Sequence, residues 1–126
     1  VTLTASDITT IASVVTAACD QADVIYIPTD NLFAENMESV KNIAQPAKVP
    51  VICGEGGMVN SGGTASVAID YYVLGFRAGE MAYEILVNGA DPATTPIGFM
   101  TADDMELVIN EENVAAIGLT VPDNLK

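Results

Sequence analysis

Asp30, Glu55 and Asp70 are the residues through which this chain could do chemistry. Each stands directly after an apolar run: VIYIPT before Asp30, PVICG before Glu55 and ASVAI before Asp70. Asn31 sits beside the first and Tyr71 follows the third. If the runs are parallel strands, all three carboxylates occupy one edge of a sheet, where ligands of open α/β folds bind. Carboxylates brought together repel one another, and a desolvated, unpaired one costs several kcal/mol. A metal, a Lys or Arg, or a cationic ligand must then compensate. The cations of the chain are Lys41, Lys48, Arg77 and Lys126, and none adjoins a strand tip in sequence. An amine-bearing ligand is therefore the expected partner. The start of a helix over 31–45 offers free N–H groups and a positive dipole end for a carboxylate. Together they suggest an amino acid or similar zwitterion. The competing structural explanation is that Asp30 and Asp70 are helix N-caps, worth ~1 kcal/mol each, and that Glu55 is a solvated loop residue.

The elements that must position these groups follow from periodicity. VTLTA (1–5) alternates like the end of a strand. Ser6 can cap a helix whose inner face is Ile8, Ile11, Val14, Val15, Ala18 and Cys19. DVIYIPT (23–29) is the next strand. Asp30 or Asn31 then caps a helix with Phe33, Met37, Val40, Ile43 and Ala44 inward. PVICGEGG (50–57) is a short strand that breaks into glycine, and TASVAID (64–70) is another. A long helix covers 71–89, with Leu74, Ala78, Met81, Ala82 and Ile85 on one face and Gly89 closing it. IGFMTA and ELVIN (106–110) are candidate strands, and Asn110 can cap a last short helix. Continuous apolar strands alternating with amphipathic helices predict an α/β chain with a parallel sheet covered on both faces, a three-layer αβα lobe, formed by residues 1–126 as a single unit.

Composition narrows the function. The chain has 126 residues, half of them apolar, and a mean hydropathy of +0.37, which suits a packed domain. Seventeen acidic against four basic residues give −13. That field repels phosphate backbones and anionic lipid, so no nucleic-acid partner is expected. No apolar run approaches the ~18–20 residues of a membrane span. No signal peptide is evident, and Val1 is not a natural start, so the chain reads as trimmed. Without histidine, and with Cys19 and Cys53 inside apolar patterns, the usual zinc sites, Cys–His nucleophiles and Ser–His–Asp triads are not expected, nor is a cofactor. Both cysteines read as buried free thiols. GEGG (54–57) lacks the Lys-Ser/Thr ending of a P-loop, and NSGG (60–63) reads as a plain turn.

ADVIYIPTDN, VPVICGEGGMVNSGGTASVAIDYYVLGFRAGEMA and MELVINEENVAAIGLTVP, in this order, resemble the ABC-transporter substrate-binding protein family. The resembling branch has a periplasmic-binding type I fold and includes tryptophan- and tyrosine-binding lipoproteins. The likeness runs from about residue 6 to 123 and is carried by YxPTDN, DYYxLG and ELVIN. It implies a two-lobed protein with a cleft, of which this chain resembles only the C-terminal half. Residues 1–70 would belong to the C-terminal lobe, the 71–90 helix would cross to the other lobe, and ELVIN would return. The family's cleft residues map onto Thr29, Asp30, Asn31, Glu55, Asp70 and Tyr71, with Tyr71, Tyr72 and Phe33 as candidates for an aromatic wall.

The resemblance implies a non-enzymatic solute carrier outside the cytoplasm, periplasmic or lipid-anchored, that closes on its solute and docks to a membrane permease. One lobe cannot surround a ligand, so weak binding by this chain is expected. The apolar face of 71–88 is expected to drive self-association. Two alternatives come from other classes. One is an enzyme or phosphoacceptor holding Mg²⁺ between Asp30, Glu55 and Asp70, although Lys48 precedes its strand and would lie at the wrong edge. The other is the effector-binding half of a transcription regulator.

Overall fold

The computed structural model describes residues 1–125; Lys126 lies outside the described residues. The described chain divides into two compact units, residues 1–68 with 107–125, and residues 69–106.

The first unit begins with α1 (Ile8–Cys19). Its cap is Asp7, not Ser6: the Asp7 carboxylate accepts from the N–H groups of Thr9 and Thr10, and Thr10 Oγ1 reaches back to the Asp7 N–H. Three short strands follow: β1 (Ile25–Ile27), β2 (Val51–Cys53) and β3 (Ala65–Ile69). β1 pairs parallel with β2 and β2 with β3, so their carboxyl ends share one edge. β1 stops earlier than its apolar run because Pro28 has no N–H to continue a ladder. β4 (Met105–Ile109) completes the order β1-β2-β3-β4. The N–H of Asp70 donates to Asp104 and that of Asn110 to Thr64. Partners that advance along β3 while retreating along β4 make this last pair antiparallel. The expected α/β fold with a parallel sheet is therefore present, except that the edge strand β4 runs antiparallel.

One face of the sheet makes the core. In register, Ile27 lies beside Cys53, and Ile25 beside Val51. Ile11 and Val15 of α1 pack over them, with Met37, Val40 and Ala44 of α3 (Met37–Ala44) and Met58 and Val59 of α4 (Gly56–Asn60). Val40, Met58 and Val59 are fully buried, each worth about 1.5–3 kcal/mol relative to exposure.

The single helix expected over 31–45 is two. α2 (Asn31–Ala34) ends in a turn at Glu35 and Asn36 before α3 starts. Asn36 bonds the Leu32 carbonyl through its side chain, an alternative to the helical ladder that Asn commonly takes. VTLTA joins no ladder, and IGFMTA is irregular until a 3₁₀ turn at Ala102–Asp104, because neither finds a partner strand. α4 has no counterpart in the sequence pattern. Two glycines at its start hide it, and the Glu55 cap with burial of Met58 and Val59 holds it. NSGG is the turn that leaves α4. There Gly62 has φ +146, and a Cβ would press on the Met37 carbonyl.

α6 (Glu111–Ala116) is capped by Asn110 as expected. The buried Asn113 side chain clamps the glycine turn: its amide donates to the carbonyls of Gly62 and Gly63, while Gln45 donates to its oxygen.

The second unit is built on α5 (Tyr71–Leu86), capped by Asp70. Gly89, φ +75, turns the chain away from the helix. Arg77 forms an ion pair with Asp104, whose other carboxylate oxygen accepts from the N–H and hydroxyl of Thr101. Those Thr101 bonds, and then Arg77, hold the Asp104 carboxyl below the usual range. Leu74, Met81 and Ile85 of α5 line an apolar groove with Ile97 and Phe99 of the same unit.

Candidate functional site

β1 and β2 deliver Thr29, Asp30, Asn31 and Glu55 to one edge of the first unit. What brings these two exits together is Gly54. A Cβ there would overlap the N–H and hydroxyl of Thr29 and the Pro28 carbonyl carbon, so only glycine lets the strands leave the sheet side by side. The close approach that Gly54 permits is to the neighbouring strand.

Each of the three carboxylates is a helix N-cap. Asp30 Oδ1 accepts from the Phe33 N–H at 3.0 Å. Glu55 uses both oxygens, Oε2 accepting from Gly57 at 2.8 Å and Oε1 from Met58 at 2.6 Å. Asp70, which opens the second unit, accepts through Oδ1 from Tyr72 at 2.8 Å and Val73 at 3.2 Å. The structural explanation thus holds for all three, and Glu55 is a cap where a solvated loop residue was the alternative. None is paired with a Lys or Arg; the Arg77–Asp104 pair is the one ion pair among the described residues. Nor does any group of three acidic, His or Cys side chains among them stand close enough to hold a metal ion. Backbone N–H groups thus compensate each carboxylate separately.

The caps do not consume the carboxylates equally. Both Glu55 oxygens already hold a cap bond. Asp30 and Asp70 each bond through Oδ1 alone, leaving Oδ2 available. Thr29, Asp30 and Asn31 are exposed, and Glu55 and Asp70 are half-buried. α2 is too short for the carboxylate cradle expected at its start: it is a single turn, and Asp30 already takes the Phe33 N–H. Phe33 packs against the core, whereas Tyr71 and Tyr72 are 58% and 80% exposed. Both thiols are free; burial pushes Cys53 up to about 11, with Glu55 adding to the effect.

The chain is similar to several known proteins. It is 41% identical over 106 residues to the tyrosine-binding protein of Clostridioides difficile, covering 82% of this chain and 30% of that protein. Its fold matches an ABC domain from Streptococcus pneumonia solved in complex with L-Trp, at a TM-score of 0.84 and 34% identity over 99% of this chain and 41% of that one. It also matches the ligand-free, open structure of a Clostridium difficile substrate binding protein with adhesive properties, at 0.75 and 37% over 95% of this chain and 40% of that one. The chain thus spans less than half the length of these relatives. The family model for ABC transporter substrate binding proteins matches residues 1–126, and the chain belongs to that family.

Proposed function

We propose that this chain is part of a solute-binding protein of an ABC importer, and that its solute is an amino acid, with aromatic ones favoured. Likeness to a tyrosine-binding protein and to a domain holding L-Trp supports the class of solute. The observation that carries the chemistry is the spare Oδ2 of Asp30, at an exposed strand exit beside Thr29 and Asn31. A carboxylate already fixed by its cap meets an ammonium without further ordering, and the charge-assisted bond is stronger than a neutral one. Thr29 and Asn31 supply the polar groups that orient the rest of the solute. Asp70, with the same spare oxygen, is the second candidate for the ammonium, and Tyr71 for the aromatic contact. Glu55 serves by holding α4 in place.

The chain performs no bond-making step. Its protein works outside the cytoplasm and presents the bound solute to a membrane permease, and residues 1–126 form the C-terminal portion of that carrier. Micromolar affinity corresponds to about −8 kcal/mol, which one exposed rim does not supply. Binding by this chain alone is therefore in the millimolar range.

Amide chemical-shift titration with L-tryptophan and L-tyrosine tests this. Shifts are expected at Thr29 to Phe33, and they vanish with N-acetyl-L-tryptophan. Asp30→Asn keeps the cap and removes the charge, so it abolishes the shifts while leaving the melting temperature within about 1 °C. Equal shifts with the acetylated compound sink the ammonium assignment.

A further inference from the structure

The turn that closes α5 sets an amide beside a free nucleophile. Asn88 and Gly89 follow the helix, and both are exposed. The backbone nitrogen after an asparagine can attack the side-chain Cγ and close a succinimide ring. Three things oppose this: a bulky next residue, a helical backbone, and a hydrogen bond that holds the attacking N–H. Every other asparagine except Asn60 precedes a residue larger than serine. Asn60 precedes Ser61, but it lies in α4, and the Ser61 N–H donates to the Gly57 carbonyl at 3.0 Å. At Asn88 none of the three applies. Gly89 has no side chain, and even a Cβ there would meet nothing within 4 Å. It stands beyond α5 with φ +75, outside the helical ladder. The neighbouring amides are held, Asn88 donating to Tyr83 and Ala90 to Glu84, but the Gly89 N–H meets no acceptor among the described residues. Asn88 Nδ2 donates to Glu84 Oε2 at 2.9 Å, which leaves Cγ open.

We propose that Asn88 is a site of spontaneous covalent modification, at which its side chain cyclises onto Gly89 and opens to aspartate and isoaspartate, loosening the last turn of α5. The Gly89 nitrogen gives its proton to solvent and bonds to Asn88 Cγ. The Cγ–Nδ2 bond breaks, and Nδ2 takes a proton from solvent and leaves as ammonia. Water then adds to either carbonyl of the ring and opens it. In sum one water is consumed and one ammonia released, and nothing is oxidised or reduced. The product carries a carboxylate one turn beyond Glu84, in place of the donor that Glu84 now accepts from. Like charges at that spacing repel, and the C-terminal end of a helix disfavours an anion. Isoaspartate adds a main-chain carbon as well, which displaces the Gly89 turn.

Incubation at mildly alkaline pH, with the chain native or unfolded in urea, tests this. Trypsin places Asn60 and Asn88 on separate peptides, 49–77 and 78–126. Fragmentation mass spectrometry then locates the exchange of an amide for a carboxyl, a gain of about 1 Da. Native Asn88 is expected to convert at least about tenfold faster than native Asn60, and within about threefold of its own rate in urea, because exposed backbone without hydrogen bonds is already open. Asn60 should speed up at least about tenfold on unfolding, which frees the Ser61 N–H. Asn88→Gln, whose longer side chain closes a ring far more slowly, should abolish the gain at that position. Asn88→Asp, which reproduces one product, should lower helicity in far-ultraviolet circular dichroism. Native conversion at Asn88 no faster than at Asn60, or a urea acceleration as large at Asn88 as at Asn60, overturns the site. An Asn88→Asp chain as helical as the parent overturns the effect on α5.

Discussion

The two units reach regular structure by opposite routes. In the first, short strands of three to five residues and helices of four to twelve close over ten clustered buried side chains. In the second, a helix of 16 residues contains no buried residue at all. Its support is local: the Asp70 cap, the Gly89 turn and the Arg77–Asp104 pair. Leu86, Ile97 and Phe99 are each about 80% exposed. An isolated helix of that length is marginal in water, where most helical stability comes from packing an amphipathic face. Periodicity alone would rank α5 as the firmest element of the chain. Burial ranks it as the weakest, and the glycines of the two units respond accordingly.

The largest effect expected is in the first unit. Gly54→Ala forces a methyl group into the backbone of Thr29, which cannot yield as a side-chain tip would. A loss of about 3 kcal/mol or more in urea unfolding is expected, together with displacement of the Asp30 turn seen as shifted amide resonances. A variant as stable as the parent would show that the β1 and β2 exits have room to separate. Asn113→Ala comes next. It leaves the Gly62 and Gly63 carbonyls without a donor in a buried setting, at about 2 kcal/mol, measurable as a lower urea midpoint with an unchanged slope.

Much of this arrangement is legible in the residues. The alternation of apolar strand and amphipathic helix fixes the α/β order, and Asp30, Asp70 and Asn110 announce the helices they cap. What is hidden has physical reasons. Glutamate is not a favoured cap and glycine is a poor helix former, so α4 is masked until its burial is seen. The break between α2 and α3 depends on one side-chain bond of Asn36, which composition does not reveal. Candidate site residues are visible as types at strand tips. Which carboxylate oxygen remains free is a matter of cap geometry, and that separates Asp30 from Glu55.

Protonation sharpens the comparison from another side, because only the first unit holds a buried titratable thiol. Cys53 is 2% exposed, and its thiol is pushed up to about 11 mainly by burial. The folded state therefore keeps the proton that the unfolded state loses first. The linked stability is complete below the unfolded thiol's pKa and is lost as pH rises towards about 11. The loss amounts to about 2 kcal/mol. Urea unfolding across that window should show a steeper decline for the parent than for Cys53→Ala, and parallel profiles would show that the thiol meets water in the native state.

The smallest effect carries the opposite sign and bears most directly on the difference between the units. Gly75 and Gly79 lie in the interior of α5, and a Cβ at either position meets nothing within 4 Å. Neither needs a positive φ, so neither conformation nor space demands glycine in this unit taken alone. Alanine restricts the unfolded chain and favours the helix, by about 0.5–1 kcal/mol per site. Gly75→Ala and Gly79→Ala should each raise helicity in far-ultraviolet circular dichroism at fixed temperature, and the double variant more than either. The same exchange at Gly54 destroys stability, so one substitution type reports packing in one unit and its absence in the other. If alanine at 75 or 79 instead lowers helicity, something presses on that face of α5, and the picture of a helix supported only by its own caps and one ion pair is wrong.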